Sequence, residues 1–166
     1  RLILRDIVAT DAESIFEGLS HPEVIRYYGV SFQTLQETMG QMKWYKELEQ
    51  NQTGKWWAIC DKQDGTFFGG VGFNDWTQEH RKAEIGYWLL PRYWGKGIVS
   101  EAVPAACDYA MKVMKLHRIE AYIEPLNTQS IRLIEKLGFQ HEGTMIDCEV
   151  KDGAFIDFAL YALLDR

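Results

Sequence analysis

The chain is poor in proline, cysteine and histidine and carries no excess of positive charge. Its four prolines are dispersed among 166 residues, which excludes a proline-rich linker or recognition tract. The three cysteines, Cys60, Cys107 and Cys148, are scattered, odd in number and never in a Cys-x-x-Cys pair. That excludes a disulfide scaffold or zinc ribbon and leads us to expect a reduced, cytoplasmic protein with cysteines as small core residues. His21, His80, His117 and His141 have no ligand spacing, so no metal is expected. No apolar run approaches the ~20 residues of a membrane span, so no membrane partner is expected either. The net charge of −6 argues against direct nucleic-acid binding and is compatible with a cationic partner.

What is present suits a folded core. Apolar residues are 46% of the chain and aromatics 13%, which excludes intrinsic disorder, and the length suits one domain over residues 1–166. Leu2 to Arg5 reads as a first strand, and Thr10 or Asp11 caps a helix burying Ile15, Phe16 and Leu19. A short helical piece starts at Pro22, and a longer helix runs from Thr34 to Gln50 until Asn51-Gln52-Thr53-Gly54 stops it. Three strands follow: Trp56–Cys60, a turn at Asp64-Gly65, Phe67–Phe73, and Ala83–Leu90. Apolar residues recur at helical spacing from Gly97 to Lys115, with Pro104 expected to kink that helix. Arg118–Ile123 reads as a strand, and Thr128–Leu137 as a helix between Asn127 and Gly138. Phe139–Val150 and Phe155–Leu164 close the chain as an antiparallel pair turning at Asp152-Gly153. The fold class expected is α+β: a central, mixed, mostly antiparallel sheet with helices on both faces.

The most informative stretch is the run from Ala83 to Leu90, then Pro91, then Arg92-Tyr93-Trp94-Gly95-Lys96-Gly97-Ile98. It reads as a strand, a glycine loop and a helix N-terminus. Such a junction leaves backbone N–H groups without intrahelical partners, with partial positive charge added by the helix dipole. That suits a phosphate group, with Arg92 and Lys96 supplying full charges. Neither the P-loop pattern nor the dinucleotide G-x-G-x-x-G pattern fits. From the loop alone, a tight turn at a helix start is an equal alternative.

Three ordered segments narrow this reading: RYWGKG, then Asn127-Thr128-Gln129-Ser130-Ile131-Arg132-Leu133, then Glu135-Lys136-Leu137-Gly138-Phe139. Together they resemble the GNAT superfamily of acyl-CoA-dependent N-acyltransferases. AEIGYWLLPRYWGKGI, LHRIEAYIEPLNTQSIRLIEKLGF and the opening RLILRDI look most like the RimJ/RimL-type ribosomal-protein N-terminal acetyltransferases. The resemblance implies that acetyl-CoA is the cosubstrate. It implies that the backbone from Trp94 through Gly95, Lys96 and Gly97 to Ile98 binds the pyrophosphate, with Arg92 and Lys96 nearby. Backbone groups of Trp88, Leu89 and Leu90 would pair with the pantetheine arm, one N–H serving the carbonyl oxygen in the transition state. Asn127 would bind the pantetheine arm and Ser130 would contact the CoA. Many members place a tyrosine seven residues after that asparagine, as acid for the departing thiolate; this chain has Ile134. Ser130 or an ordered water is the substitute.

Glu84 is the first candidate for a catalytic base, because a carboxylate inside the apolar strand AEIGYWLL has its pKa raised by burial. The alternative is a paired structural carboxylate. Asp157, in FIDFALYALL, is a second buried-carboxylate candidate, for which structural pairing is the favoured reading. Trp44, Tyr45, Trp56, Trp57 and Trp76 are either core residues or walls of an acceptor pocket. Without a cysteine or serine beside a histidine, direct attack by the amine in a ternary complex is expected over an acetyl-enzyme. The acceptor expected is a protein N-terminal α-amine, of the ribosomal-protein type. The alternatives are a small amine, such as a polyamine or amine-bearing antibiotic, and a non-catalytic acyl-CoA-binding module. Edge strands leave a homodimer open.

Overall fold

The computed structural model describes residues 1–166. Its elements are β1 (Leu2–Asp6), α1 (Ala12–Ser20), α2 (Pro22–Ile25), α3 (Leu35–Asn51), β2 (Lys55–Asp61), β3 (Phe67–Thr77), β4 (Lys82–Leu89), α4 (Ile98–Lys112), β5 (Arg118–Ile123), α5 (Thr128–Lys136), β6 (Gln140–Lys151) and β7 (Ala154–Leu164). One seven-stranded sheet takes the order β1-β2-β3-β4-β5-β7-β6. Only β4 and β5 run parallel. A parallel pair needs a crossover, and here α4 supplies it. No helix is long and apolar enough to cross a membrane.

Local chemistry sets the boundaries. Thr34 Oγ1 accepts the Glu37 N–H at 3.1 Å while Glu37 Oε2 accepts the Gln33 N–H at 2.9 Å, fixing the start of α3. Gln52, left-handed at φ 55°, ends it. Asp152 and Gly153, with φ of 51° and 79°, make the tight turn between β6 and β7.

The sheet separates two clusters of buried side chains. Ala83, Ile85 and Leu89 of β4, with Ile119, Ala121 and Ile123 of β5, pack against α4 and Ile134 of α5. Trp88 and Leu90 face the other way, into a cluster built from α1, α3 and Trp56. Strand alternation therefore assigns odd-numbered residues of β4 to the α4–α5 face and even-numbered ones, Glu84 included, to the α1–α3 face.

α4 runs continuously through Pro104. The proline lies on the exposed side of the helix, as does Ser100, the residue whose carbonyl loses its partner, so water can bond that carbonyl. Cys60 and Cys107 are buried as expected, but Cys148 is exposed, because β6 is an edge strand of the sheet and is open to solvent along nearly its whole length.

Candidate active site

The site begins where two parallel strands part. β4 and β5 pair only through Lys82↔Arg118, Ala83↔Ile119 and Glu84↔Glu120. Beyond Glu84 the strands diverge, and a cleft of about 1540 Å³ opens between them. The Leu90 N–H donates to the Phe68 carbonyl at 2.9 Å. With the antiparallel register Gly69↔Leu89 and Gly70↔Trp88, this directs the backbones of Trp88 and Leu90 at β3. The backbone groups turned toward the cleft are those of Ile85, Tyr87 and Leu89. Of the three residues expected to offer main-chain partners, Leu89 turns its backbone groups to the cleft, as Tyr87 does, while Trp88 and Leu90 turn theirs to β3. The Leu89 carbonyl already accepts from Trp94 Nε1 at 3.0 Å.

The glycine loop lies at one end of this cleft. The Trp94 N–H is used in a tight turn onto the Pro91 carbonyl, while the N–H groups of Gly95, Lys96, Gly97 and Ile98 find no main-chain acceptor. Gly95 and Gly97 sit at φ 73° and 74°, a region that other residues enter at a cost of ~1–2 kcal/mol. These angles turn successive N–H groups toward the start of α4, the concave arrangement that suits an anion. Arg92 is held by Glu17 of α1 at 2.6 Å, with its charge offset there. Lys96 has no acidic partner; its ammonium lies 5.9 Å from the Tyr93 ring centre.

Across the cleft, Asn127 caps α5 through an acceptance of the Ser130 N–H at 3.4 Å. Ser130 Oγ and the Tyr87 hydroxyl are 2.5 Å apart and join α5 to β4. Burial pushes the Tyr87 phenol up to about 12. Ile134 is fully buried in the core beneath. No local pattern signals Tyr87, because it sits among the aromatics of a core strand and its partner Ser130 lies 43 positions along the chain.

At the other end, on the α1–α3 face, lies Glu84. Burial, reinforced by the neighbouring carboxylates of Asp75, Glu120 and Glu149, pushes its pKa up to about 7. Asp75 comes close through an irregularity in β3 between Asn74 and Thr77, where it takes φ 52°. Glu120 is offset by Arg118 at 2.8 Å, whereas Asp75, Glu84 and Glu149 form no ion pair. Trp44, Trp56 and Tyr28 line the cleft on this side, and Tyr122 stacks edge-on to Phe158. Trp56 is fixed by its Nε1–H donating to Asn74 Oδ1 at 2.6 Å, and a methyl group on Gly72 or Gly86 would collide with its ring. Tyr45 and Trp57 are core residues and Trp76 packs on the core. Asp157 accepts the Asp147 N–H at 2.7 Å, a structural pairing within the β6–β7 hairpin.

The sequence from residue 1 to 140 matches the family model described as an acetyltransferase (GNAT) domain. The N-acetyltransferase p20 of Bacillus licheniformis is 37% identical over 100% of this chain and 94% of its own length. The crystal structure of a GNAT-family acetyltransferase from Bacillus anthracis is 32% identical, covers 99% of this chain and 95% of its own, and superposes with a TM-score of 0.87. The [ribosomal protein uS5]-alanine N-acetyltransferase of Escherichia coli is more distant, at 29% identity over 70% of this chain and 61% of its own. A sheet split at β4 and β5, a glycine loop at the start of α4 and these likenesses lead to one conclusion: the chain belongs to the GNAT family and is an acetyl-CoA-dependent N-acetyltransferase.

Proposed function

We propose that acetyl-CoA lies in the β4–β5 cleft with its pyrophosphate on the amides of Gly95 to Ile98, and that the acceptor is a primary amine bearing a second positive charge. The observation carrying this reading is the convergence of Asp75, Glu84 and Glu149, none of them ion-paired, beside the rings of Tyr28 and Trp44. Carboxylates hold an ammonium by charge and aromatic faces hold it by their quadrupoles. Three unpaired carboxylates suit a di- or triamine better than a single charge.

Glu84, about half ionised near neutral pH, takes a proton from the ammonium, directly or through a water. The neutral amine then attacks the thioester carbon. The Tyr87 or Leu89 N–H, turned into the cleft, receives the oxyanion; such a donor is typically worth about 2.7–4 kcal/mol of barrier. Asn127 orients the pantetheine arm from the start of α5. Attack is direct, because the exposed Cys148 has no histidine partner and the buried Cys107 thiol is pushed up to about 12.

A second reading is a protein N-terminal α-amine. Glu84 favours it, since a base near neutrality is sufficient for an α-amine, about a tenth of which is already neutral at pH 7. Thiol release from acetyl-CoA against diamines, triamines, lysine peptides and N-terminal peptides, free and α-blocked, separates the two. The proposal expects the highest kcat/KM for an amine with a second charge, falling steeply with salt. A free peptide that outperforms every polyamine, and fails when α-blocked, supports the second reading instead.

A further inference from the structure

Glu17 draws Arg92 away from the glycine loop, but a second arginine reaches that loop from behind. An Arg1 Nη2–H donates to the Lys96 carbonyl at 2.8 Å, and the Nε–H donates to Glu101 Oε2 at 2.7 Å. We propose that Arg1 is a positioning residue for the CoA pyrophosphate: it clamps the Lys96–Gly97 peptide so that the Gly97 N–H faces the phosphate. This rests on the pyrophosphate lying on the amides of Gly95 to Ile98.

Packing delivers Arg1 to this place. Its carbonyl accepts the Lys62 N–H at 2.9 Å, and β1 pairs with β2 from Leu2↔Asp61 onward. Leu2 and Leu4 pack against the buried cluster that contains the apolar side of α4. The start of β1 is thereby fixed beside the start of α4. Gly95, Gly97 and Ile98 line the cleft and Arg1 does not, so its guanidinium acts through the loop and leaves the cofactor untouched.

A trans peptide points its C=O and its N–H in opposite directions. With the Lys96 oxygen held by Arg1 on the outer side, the Gly97 N–H points inward. Gly97, at φ 74°, opens α4, and a glycine leaves its peptide more freedom to turn than any other residue. The clamp removes that freedom before the ligand arrives, which lowers the cost of binding. A cation on the carbonyl also draws electron density through the amide, and makes the N–H of the same peptide a stronger donor.

Glu101 holds the other edge of the guanidinium. It lies in the first turn of α4, where a free carboxylate would repel a phosphate, and Arg1 offsets its charge. A lysine could not hold both partners in this way, because an ammonium is a point charge and a guanidinium a flat fork.

Calorimetric titration of acetyl-CoA and of acetyl-pantetheine tests this without any acceptor amine. The proteins are the full chain, Arg1→Ala, Arg1→Lys and the double variant Arg1→Ala/Glu101→Gln. Wild type is expected to bind acetyl-CoA more tightly than acetyl-pantetheine. Arg1→Ala should weaken acetyl-CoA roughly tenfold and leave acetyl-pantetheine unchanged. Its melting temperature should hardly move, because an ion pair this exposed adds little stability. Arg1→Lys should recover only part of the lost affinity. The double variant should also recover only part, since it removes the repulsion and leaves the peptide unclamped. Unchanged acetyl-CoA affinity in Arg1→Ala, a loss shared equally by acetyl-pantetheine, or full recovery in the double variant overturns the proposal. A wild type that binds the two ligands alike overturns the phosphate site on the loop amides, and the proposal with it.

Discussion

Replacing Glu84 by glutamine should inactivate the enzyme and make it more stable at alkaline pH. The Glu84 carboxyl has its pKa pushed from the ordinary 4.5 up to about 7. The cause is first burial and then the nearby charge of Asp75. A raised folded-state value means that the protonated form is the one the fold prefers. Stability from this group is therefore complete below pH 4.5 and declines as pH rises through about 7. At about 1.36 kcal/mol for each pH unit between the two values, the decline totals about 3 kcal/mol. Glutamine is neutral at every pH, nearly isosteric, and can still hydrogen-bond Asp75. Glu84→Gln and wild type should thus melt together near pH 4.5. At pH 8 the variant should be more stable by about 3 kcal/mol, or about 6–12 °C for a chain of this size. Thermal denaturation followed by circular dichroism at the two pH values reads this directly. The same substitution should lower kcat about a hundredfold or more, the usual contribution of a general base. A variant less stable than wild type at pH 8 would refute the reasoning, since it would show that Glu84 is a satisfied structural carboxylate.

Two further predictions concern neighbouring parts of the cleft. Asp75→Asn removes the charge that most raises Glu84 after burial, so the acidic limb of kcat/KM should move to lower pH; an unmoved limb would show that Asp75 does not act on the base. Gly95→Ala, at a left-handed φ of 73° with nothing within 4 Å of the new methyl, should destabilise the loop by about 1–2 kcal/mol. It should also weaken acetyl-CoA binding, measured by calorimetry, while sparing acetyl-pantetheine, which lacks the pyrophosphate. Equal losses for both ligands would remove the loop amides from phosphate binding.

Local rules carried much of the fold into legibility. Thr34, the Gln52 stop, Asn127, Gly138 and the Asp152-Gly153 turn lie where their side chains or backbone freedom require, and the strand edges fall close to the apolar runs. The glycine loop was equally plain, because two glycines separate an apolar strand from a run with helical spacing. What the sequence concealed depends on pairing between distant segments. Whether Trp88, Leu89 or Leu90 turns its backbone into the cleft is decided by register with β3, which no local pattern encodes. The approach of Asp75 to Glu84 depends on an irregularity in β3, and the Tyr87–Ser130 contact on how α5 docks across the open strands. Arg92 carried a correct charge for phosphate, yet Glu17, 75 positions away, holds it. Cys148 reads as core by composition and is exposed because β6 forms an edge of the sheet.

The central claim is that the β4–β5 cleft brings acetyl-CoA and an amine together, with Glu84 taking the proton and no acetyl-enzyme formed. Two-substrate initial-rate kinetics, with thiol release as the signal and a di- or triamine as acceptor, tests it most directly. The account predicts intersecting lines, no thiol release without amine, and a single ionisation near pH 7 governing the acidic limb. Parallel lines, with a burst of thiol and acetylated protein in the absence of amine, would contradict it.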